Sequence, residues 1–272
     1  MLSGKNVLLA ITGSIAAYKS AYLVRDFIKR GANVKVIITE AALQFVTPVT
    51  LSTLSKNPVY KDFLKSTDTG EWNNHVELAS WSDIMVIAPA TANTLSNLVS
   101  GKGDSLFLAT YLSCNAPIFV APAMDLDMFK NESTQNNIKI LKNRKLNIIE
   151  PKSGELASGL DGKGRMEEPE QITTIINQYF IDKASLRNLR ILISAGPTYE
   201  SIDPVRFIGN HSSGKMGFAL AKEAEKRGAN VELITGPVSL ETPRNVQRTD
   251  VSSADEMKKE IEDRFTNTDI LI

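Results

Sequence analysis

Apolar residues in the first half of the chain form short continuous runs that alternate with longer amphipathic segments. The runs are "NVLLAIT", "ANVKVIIT", "SDIMVIAP" and "APIFVAP", and uniformly apolar runs of this length are typical of strands buried on both faces of a parallel sheet. The segments between them, such as "AAYKSAYLVRDFIKR" and "SLFLATYLS", carry apolar residues at helical spacing. Strand and helix in alternation predict an α/β domain with a doubly wound parallel sheet.

The pattern stops between residues 150 and 172, where the chain is rich in glycine, proline and charge and has no apolar periodicity. A helix is predicted for "PEQITTIINQYFIDK", and the strand pattern restarts at Asn188 with "NLRILISAGPT". We therefore predict a first domain at residues 1–183 and the start of a second, Rossmann-like α/β domain at residues 188–272. The chain closes on "NTDILI", a strand pattern without a cap or turn, so we expect this second domain to be an incomplete, C-terminally truncated piece.

The two halves contain an internal echo. "RGANVKVIIT" begins at Arg30 and "RGANVELIT" at Arg227. Each has a glycine where a helix should end in a left-handed turn, followed by a strand. Two independent strand–helix–strand units account for this echo without a recent duplication.

Composition narrows the class of protein. A chain of 272 residues with 42% hydrophobic and 23% charged residues fits two soluble globular domains. The formal net charge of +0 gives no basic surplus for nucleic acid. The single cysteine, Cys114, excludes an internal disulfide and fits a reducing compartment. The N-terminal apolar run is too short for a membrane span, so we expect a cytoplasmic protein.

The first candidate site is the loop in "AITGSIAAYK". Gly13 and Ser14 fall between the first strand and the first helix, where free backbone N–H groups favour a phosphate. The loop lacks the three-glycine fingerprint of dinucleotide sites, which favours a mononucleotide; a plain turn capped by Ser14 is the alternative. Thr39 ends the second strand and should lie beside this loop at the carboxyl edge of the sheet.

Two further segments should reach the same edge. In "APATANT", Ala90 and Ala92 leave room while Asn93 and Thr94 offer hydrogen bonds, which suits a flat heteroaromatic ring; a tight turn is the alternative. "APAMDLDMF" follows the next strand. His75 precedes the helical segment "VELASWS" and could serve as a general base or as a cation for a carboxylate, although a lone histidine can equally be structural.

Together these segments carry a resemblance. "GSIAAYK", a histidine before "ELASWSD", "PATANT" and "PAMDLDM" occur in this order and resemble the flavin-dependent cysteine decarboxylase family over residues 6–166. "LASGLDGKGRM", residues 156–166, resembles the substrate-covering flap of its phosphopantothenoylcysteine decarboxylase branch. The resemblance implies FMN as cofactor, decarboxylation of 4'-phosphopantothenoylcysteine to 4'-phosphopantetheine, and a homo-oligomer with FMN between protomers of a trimer.

The resemblance also implies roles for individual residues. FMN would contact Gly13, Ser14, Ile15, Thr39, Ala90, Thr91, Asn93 and Thr94, with its phosphate on the first loop. The substrate would contact Ala123, Met124, Gly159, Arg165 and Met166. The catalytic residues would be His75, Asp125 and Ser158. The flavin would take electrons from the cysteine thiol, so that loss of CO2 leaves a stabilised product; no metal is implied for this domain.

Two departures from the family pattern leave alternatives open. Asp125 replaces the usual Asn, and because an ionised Asp only accepts hydrogen bonds, it is either protonated or contacts a substrate donor. Ser158 replaces the proton-donating Cys of the flap and is a much weaker acid. The Ser158 replacement keeps open the alternative of a flavin-binding regulatory protein without catalysis. A peptidyl-cysteine decarboxylase and a flavin prenyltransferase are alternatives of the same fold, but neither accounts for the ligase-like segment of the second domain.

The second domain contains G-x-x-x-x-G-K from Gly209 to Lys215, but Met216 replaces the required Ser or Thr, which argues against a P-loop NTPase. "GPTYESIDPVRFIGNHSSGKMG" resembles the start of phosphopantothenate–cysteine ligase, which uses CTP and Mg2+. By this resemblance the nucleotide side comprises Asn210, Ser212, Ser213, Gly214 and Lys215. The catalytic lysine of that family would lie beyond Ile272, so no ligase activity is expected from this sequence.

Overall fold

The computed structural model describes residues 2–65 and 69–272. These residues form two compact units, which divide between Asn177 and Gln178. The division falls inside the helix Pro169–Lys183, a few residues before the predicted domain boundary. Each unit has its own sheet and its own hydrophobic core.

The first unit is built on a six-stranded sheet. Its strands are β1 (Asn6–Ile11), β2 (Asn33–Ile38), β3 (Val59–Tyr60), β4 (Ile84–Ala90), β5 (Ile118–Pro122) and β6 (Asn147–Ile148). They lie in the order β3-β2-β1-β4-β5-β6, with every neighbouring pair parallel. This is the doubly wound arrangement that the apolar runs predict. The strand order reverses between β1 and β4, and open α/β sheets bind ligands at such a switch point.

Helices cover both faces of this sheet. They are α1 (Lys19–Lys29), α2 (Pro48–Ser55), α3 (His75–Trp81), α4 (Ala92–Ser100), α5 (Leu106–Leu112), α6 (Leu126–Lys130), α7 (Glu132–Asn143) and α8 (Pro169–Lys183), with short 3-10 turns at Ile15–Tyr18 and Glu40–Gln44. Leu8 and Ala10 of β1 belong to a core cluster with residues of α3, α4, α5 and α7, while the alternate residues of β1 are buried as well. Burial on both faces explains why β1 is apolar at every position.

The segment without apolar periodicity forms an antiparallel hairpin of β7 (Lys152–Glu155) and β8 (Asp161–Arg165), for which the sequence pattern predicted no element. Its attachment depends on two close approaches. A Cβ at Gly164 would lie 2.4 Å from the Met124 carbonyl oxygen, and one at Gly162 would lie 2.5 Å from the Leu126 side chain. The Met124 N–H donates to the Gly164 carbonyl at 3.0 Å. Backbone contact, rather than an apolar face, fixes this hairpin on the segment after β5.

The second unit repeats the same principle on a smaller scale. Its elements are β9 (Arg190–Ala195), β10 (Tyr199–Ser201), β11 (Phe207–Gly209), α9 (Lys215–Lys226), β12 (Asn230–Thr235), β13 (Gln247–Asp250), α10 (Ala254–Phe265) and β14 (Ile270–Leu271). A parallel sheet has the order β13-β12-β9-β14, and β10 pairs with β11 in a separate hairpin. The order again reverses beside the first strand, here between β9 and β14.

The echo between the units has the predicted conformation. Gly31 and Gly228 follow α1 and α9 with φ of 81° and 88°, so both lie in the left-handed region that favours glycine. The strands after them, β2 and β12, pair in parallel with β1 and β9. Each unit therefore opens with the same strand–helix–strand arrangement.

Candidate functional site

A cavity of about 580 Å³ lies at the carboxyl edge of the first sheet, within the range of roughly 300–1,000 Å³ typical of ligand sites. We call it the edge cavity. The segments that follow β1, β2, β4 and β5 all contribute to its lining. Eight of the predicted site residues line it, namely Gly13, Ser14, Thr39, Thr91, Asn93, Thr94, Ala123 and Met124. The structure thus brings together four segments that are distant in sequence.

Thr12 joins the two central loops of this edge. Its buried hydroxyl donates to the Pro89 carbonyl at 2.8 Å and accepts from the Thr91 N–H at 3.3 Å. The loop after β1 is therefore tied to the turn after β4. Sequence reasoning missed Thr12, although a hydroxyl directly after a buried strand at the switch point was a usable signal.

The turn after β4 uses most of its own polar groups. Thr91 caps α4 by accepting from the Thr94 N–H at 3.1 Å, and the two threonine hydroxyls lie 3.0 Å apart. Thr94 is buried, whereas Asn93 is exposed. The Asn93 amide makes no hydrogen bond within the described residues, so it is the polar group of this turn that is available to a ligand.

The floor of the edge cavity has an unpaired hydroxyl. Thr39 Oγ1 is buried and has no hydrogen-bond partner among the described residues, and leaving a buried polar group unpaired costs about 1–3 kcal/mol. Nearby, a Cβ at Gly13 would lie 2.4 Å from the Ala41 Cβ, so only glycine allows these two turns to approach. Ser14 caps the 3-10 turn by accepting from the Ala16 N–H at 3.2 Å. Within the described part of the chain, Thr39 therefore has an unsatisfied hydroxyl at a position that lines the edge cavity.

A second cavity, of about 450 Å³, adjoins the first and shares Ser14, Ala123 and Met124 with it. We call it the flap cavity, because residues at both ends of the β7–β8 hairpin line it. Ile15, Arg165 and Met166 lie here. Two of the predicted contacts, Ala90 and Gly159, line neither cavity: Ala90 is buried in β4, and Gly159 belongs to the exposed hairpin tip.

The two unusual residues have different places. Asp125 lines the flap cavity and caps α6, accepting from the Leu126 N–H at 2.6 Å, so its carboxylate already acts as an acceptor. Ser158 is exposed at the hairpin tip, where its hydroxyl lies 3.4 Å from the Leu160 N–H, and it does not line the flap cavity. The hairpin instead contributes residues 155–157 and 164–166 to the lining.

Lys19 is a site residue that sequence reasoning quoted within "GSIAAYK" but did not assign. Its side chain is 5% exposed, lines the flap cavity, and donates to the Met166 carbonyl and to Glu168 Oε1, each at 3.0 Å. Burial raises the pKa of Glu168, but the hydrogen bond from Lys19 and the charges of Lys19, Arg165 and Lys152 outweigh it and leave this pKa below its ordinary value. Glu168 is thus held as a carboxylate among cations.

His75 begins α3 and lies edge-to-face with Phe63 and Trp72, each at 6.1 Å between ring centroids. Its Nδ1 is buried and unpaired among the described residues. Within one chain, His75 lines neither the edge cavity nor the flap cavity. The position of His75 beside a flavin ring therefore stays a prediction, because a single chain does not bring His75 to either cavity.

The second unit has a cavity of about 720 Å³ at its own switch point, which we call the second-unit cavity. Gly196 and Thr198 follow β9 and line it together with Asn210 and Leu271 of β14. Of the residues predicted for the nucleotide, only Asn210 is in this lining; Ser212, Ser213, Gly214 and Lys215 are not. Asn210 Oδ1 accepts from the Ser212 N–H at 2.9 Å, and Gly214, with φ of 72°, is the N-cap of α9.

Among the described residues, no group of three or more His, Cys, Asp and Glu side chains is arranged to hold a metal ion. No helix in this part of the chain has both the length and the apolar character needed to cross a membrane.

Comparison with known proteins agrees with the two units. A family model described as Flavoprotein matches residues 1–181, and one described as the C-terminal domain of the DNA/pantothenate metabolism flavoprotein matches residues 186–272. The chain is 49% identical over 256 residues to the coenzyme A biosynthesis bifunctional protein CoaBC of Haemophilus influenzae, covering 94% of this chain and 64% of that protein. It is 51% identical over 232 residues to a cysteine/cysteine sulfinic acid decarboxylase of an unknown prokaryotic organism, covering 84% and 64%.

Solved structures resemble the first unit. A PPC decarboxylase mutant in complex with pantothenoylaminoethenethiol is 33% identical with a TM-score of 0.57, covering 65% of this chain and 99% of that one. The FMN-binding protein AtHal3 is 31% identical with a TM-score of 0.57, covering 65% and 97%. The chain spans 64% of the length of the two curated relatives named above. By both its matched domains and its identity to these relatives, the chain belongs to the flavoprotein family of CoaBC-type bifunctional proteins.

Proposed function

We propose that the first unit binds FMN in the edge cavity and decarboxylates 4'-phosphopantothenoylcysteine to 4'-phosphopantetheine, a step of coenzyme A biosynthesis. The observation that carries the proposal is the edge cavity itself, with small residues along its wall and the unpaired Thr39 hydroxyl in its floor. A flat ring needs close contact on its faces and hydrogen bonds at its rim. Family membership and the FMN-binding structural relative support the same ligand.

The residues present fit FMN. Backbone N–H groups around Gly13 and Ser14 would hold its phosphate, the Thr91–Thr94 turn would lie along its ring, and Thr39 would gain the missing partner. When bound, FMN would take two electrons from the cysteine end, so that the carboxylate can leave as CO2, and would return them with a proton to the resulting enethiol, so that the finished aminothiol forms with no net redox change.

The chain then has to place the substrate. Ser14, Ala123 and Met124 line both cavities, so the cysteine end of a substrate at this junction would lie against the cofactor. The β7–β8 hairpin lines the flap cavity and excludes water from the substrate held there. Asp125, already an acceptor for Leu126, would accept a hydrogen bond from a substrate amide N–H through its second carboxylate oxygen.

His75 is proposed to act in an assembly. Because it lines neither cavity of its own chain, we propose that a neighbouring copy brings its imidazole to the substrate carboxylate, as expected for a trimer with shared flavin sites. In a mixed oligomer of His75→Asn and Gly13→Ala chains, a shared site would restore part of the activity that each pure variant lacks. No recovery on mixing would contradict sharing.

Ser158 is the proposed hairpin residue for the last protonation. We expect Ser158→Cys to speed release of the finished aminothiol and Ser158→Ala to slow it, each followed by mass analysis of products with time. If neither change alters any step, Ser158 has no proton-transfer role.

The whole activity has a direct test. Purified protein loaded with FMN should be yellow, release CO2 from 4'-phosphopantothenoylcysteine and form 4'-phosphopantetheine. Yellow protein without turnover of any cysteine-containing substrate would support the regulatory alternative. The relative that is named a cysteine/cysteine sulfinic acid decarboxylase favours free cysteine as a second candidate substrate, and turnover of free cysteine alone would select it.

For the second unit we propose a part of the CTP and Mg2+ site of a phosphopantothenate–cysteine ligase, centred on Asn210 in the second-unit cavity. The matching C-terminal domain model supports this proposal. Calorimetric titration with CTP in the presence and absence of Mg2+ tests it, and binding that persists unchanged in Asn210→Asp would contradict it.

A further inference from the structure

We infer that Lys19 and Arg165 form a subsite for the phosphate group of the substrate at the end of the flap cavity. This inference rests on the proposed decarboxylase function and extends it, because it names the residues that would distinguish a phosphorylated substrate from an unphosphorylated one. The two side chains come from α1 and from β8, and both line the flap cavity. Neither lines the edge cavity.

The pair has unused hydrogen-bond donors. Lys19 carries three protons on its ammonium, and two of them are directed to the Met166 carbonyl and to Glu168. Arg165 carries five N–H donors, and its one hydrogen bond within the described residues runs to Glu168 Oε1, at 3.1 Å. One ammonium proton and most of the guanidinium donors therefore remain for a ligand.

Within the described residues, the two cations share a single carboxylate partner. One carboxylate oxygen, Glu168 Oε1, accepts from both cations, so the three groups together keep one positive charge. The other carboxylates that line the cavity belong to Asp125 and Glu155. Neither has an ion pair with Lys19 or Arg165 among the described residues. The lining of the flap cavity thus has two cations and two carboxylates, so recognition of an anion rests on the position of Lys19 and Arg165 side by side and not on the net charge of the cavity.

The Lys19 side chain of the subsite is held in a fixed position. Lys19 is 5% exposed and fixed by two hydrogen bonds, so little conformational entropy is lost when it receives a ligand. Arg165 is 43% exposed, and its guanidinium passes over Gly154, where a Cβ would lie 4.0 Å from Nη1. A guanidinium held beside an ammonium is a strong arrangement for phosphate, because charge-assisted bonds are about twice as strong as neutral ones.

The proposed substrate requires a phosphate subsite that is separate from the place of the cofactor. Its cysteine must lie at the junction of the two cavities, near Ser14, Ala123 and Met124, if electrons are to reach the cofactor. The phosphate is at the opposite end of the pantothenoyl chain, and Lys19 and Arg165 line the flap cavity without lining the edge cavity.

The test compares two substrates in three proteins. Wild type, Arg165→Gln and the control Arg25→Gln are assayed with 4'-phosphopantothenoylcysteine and with its dephosphorylated form, pantothenoylcysteine. Arg25 is an exposed arginine on the same helix as Lys19 and lines neither cavity. We expect Arg165→Gln to raise KM for the phosphorylated substrate by about tenfold or more. The KM for the dephosphorylated one and kcat for both should change by less than about twofold, and Arg25→Gln should match wild type.

Three results would overturn the subsite: an equal loss with both substrates, no loss with either, or a loss of bound FMN that accounts for the change. Lys19→Gln is a second variant, and its thermal unfolding temperature shows whether it has folded. Calorimetry with 4'-phosphopantetheine and with pantetheine separates this inference from the proposed function. If wild type turns over neither substrate, the function has failed. The subsite still stands if wild type prefers the phosphorylated compound and Arg165→Gln does not, and it falls if the two proteins bind both compounds alike.

Discussion

Each unit has a threonine at the end of its second strand, and the two threonine hydroxyls differ in whether they have a hydrogen-bond partner. Thr39 follows β2, and its hydroxyl is buried without a partner among the described residues. Thr235 ends β12 and is fully buried, but its hydroxyl donates to the Gly236 carbonyl at 3.0 Å. The same strand–helix–strand arrangement is therefore satisfied internally in the second unit and left one hydrogen bond short in the first. This difference is the reason for proposing that a ligand completes the first unit at Thr39.

The loops and helices that surround the two switch points differ as well. In the first unit, polar loops and a glycine-rich hairpin surround the cavities, and most hydrogen bonds there run to backbone. In the second unit, Met257, Ile261 and Phe265 of α10 line the second-unit cavity, and α10 has no buried residue. A shared strand order thus fixes the place of a cavity, while the loops and helices around it determine the chemistry.

Among the variants that test the difference between the two units, Gly13→Ala is expected to have the largest effect. The added Cβ would lie 2.4 Å from the Ala41 Cβ and 3.0 Å from the Ala41 carbonyl carbon, so the turns after β1 and β2 must separate. FMN affinity should fall by more than about tenfold, because displacing packed backbone costs about 1–3 kcal/mol. The control is Gly103→Ala, whose Cβ meets only the Leu112 side chain, at 3.3 Å. Equal flavin content in both purified variants would contradict the close approach.

A smaller effect is expected at the hairpin, where two glycines of β8 provide a matched pair. In Gly164→Ala the new Cβ would meet the Met124 carbonyl oxygen, which belongs to the backbone and cannot move away alone. In Gly162→Ala it would meet the end of the flexible Leu126 side chain. Limited proteolysis should therefore cleave the hairpin of Gly164→Ala several times faster than that of Gly162→Ala. Equal cleavage rates would show that the hairpin is not held by backbone contact.

The sequence predicts those elements whose apolar pattern reports their burial, and it misses those that are held in another way. Strands such as β1 and β4 are apolar at every position because helices cover both faces, so their place was predictable. The β7–β8 hairpin has no apolar face and is held by Gly162 and Gly164, so periodicity could not reveal it. Predicting the convergence of Gly13, Thr39, Asn93 and Met124 needed only the rule that parallel strands share a carboxyl edge.

Other features of the site depend on distances that a sequence does not contain. Lys19 had no signal beyond its motif, because its importance comes from burial against Glu168 and Met166. His75 was predicted beside the cavity, and that expectation needs a second copy of the chain. Ser158 was placed by similarity to a flap, whereas its exposure at the hairpin tip follows from the turn that joins β7 to β8.

The smallest expected effect concerns pH. Hydrogen bonds from Lys142 and Lys163, each at 2.7 Å, hold the pKa of Glu150 below its ordinary value, and Lys163 belongs to β8. Because this pKa is lowered by folding, the ion pairs stabilise the protein above the ordinary pKa of glutamate, and the stabilisation is lost as pH falls through the lowered value. All three side chains are about half exposed, so the contribution is about 0.5 kcal/mol or less.

Thermal unfolding between pH 3 and 7 checks this contribution. Glu150→Gln should unfold at a slightly lower temperature than wild type near pH 7, and the difference should vanish at the acidic end. A difference that is constant across this range would show that the Glu150 ion pairs do not respond to pH as the lowered pKa requires.

The most direct test of the central claim is a fluorescence titration of FMN-free protein with FMN, in wild type, Thr39→Val and Thr235→Val. If FMN supplies the missing partner of Thr39, Thr39→Val should keep or slightly raise the stability of the FMN-free protein. The same variant should weaken FMN binding about threefold to tenfold, because about one hydrogen bond to the ligand is lost. Thr235→Val should leave FMN affinity unchanged and lower the free energy of unfolding by about 1 kcal/mol. Equal FMN affinities in all three proteins, or no binding by wild type, would contradict the claim.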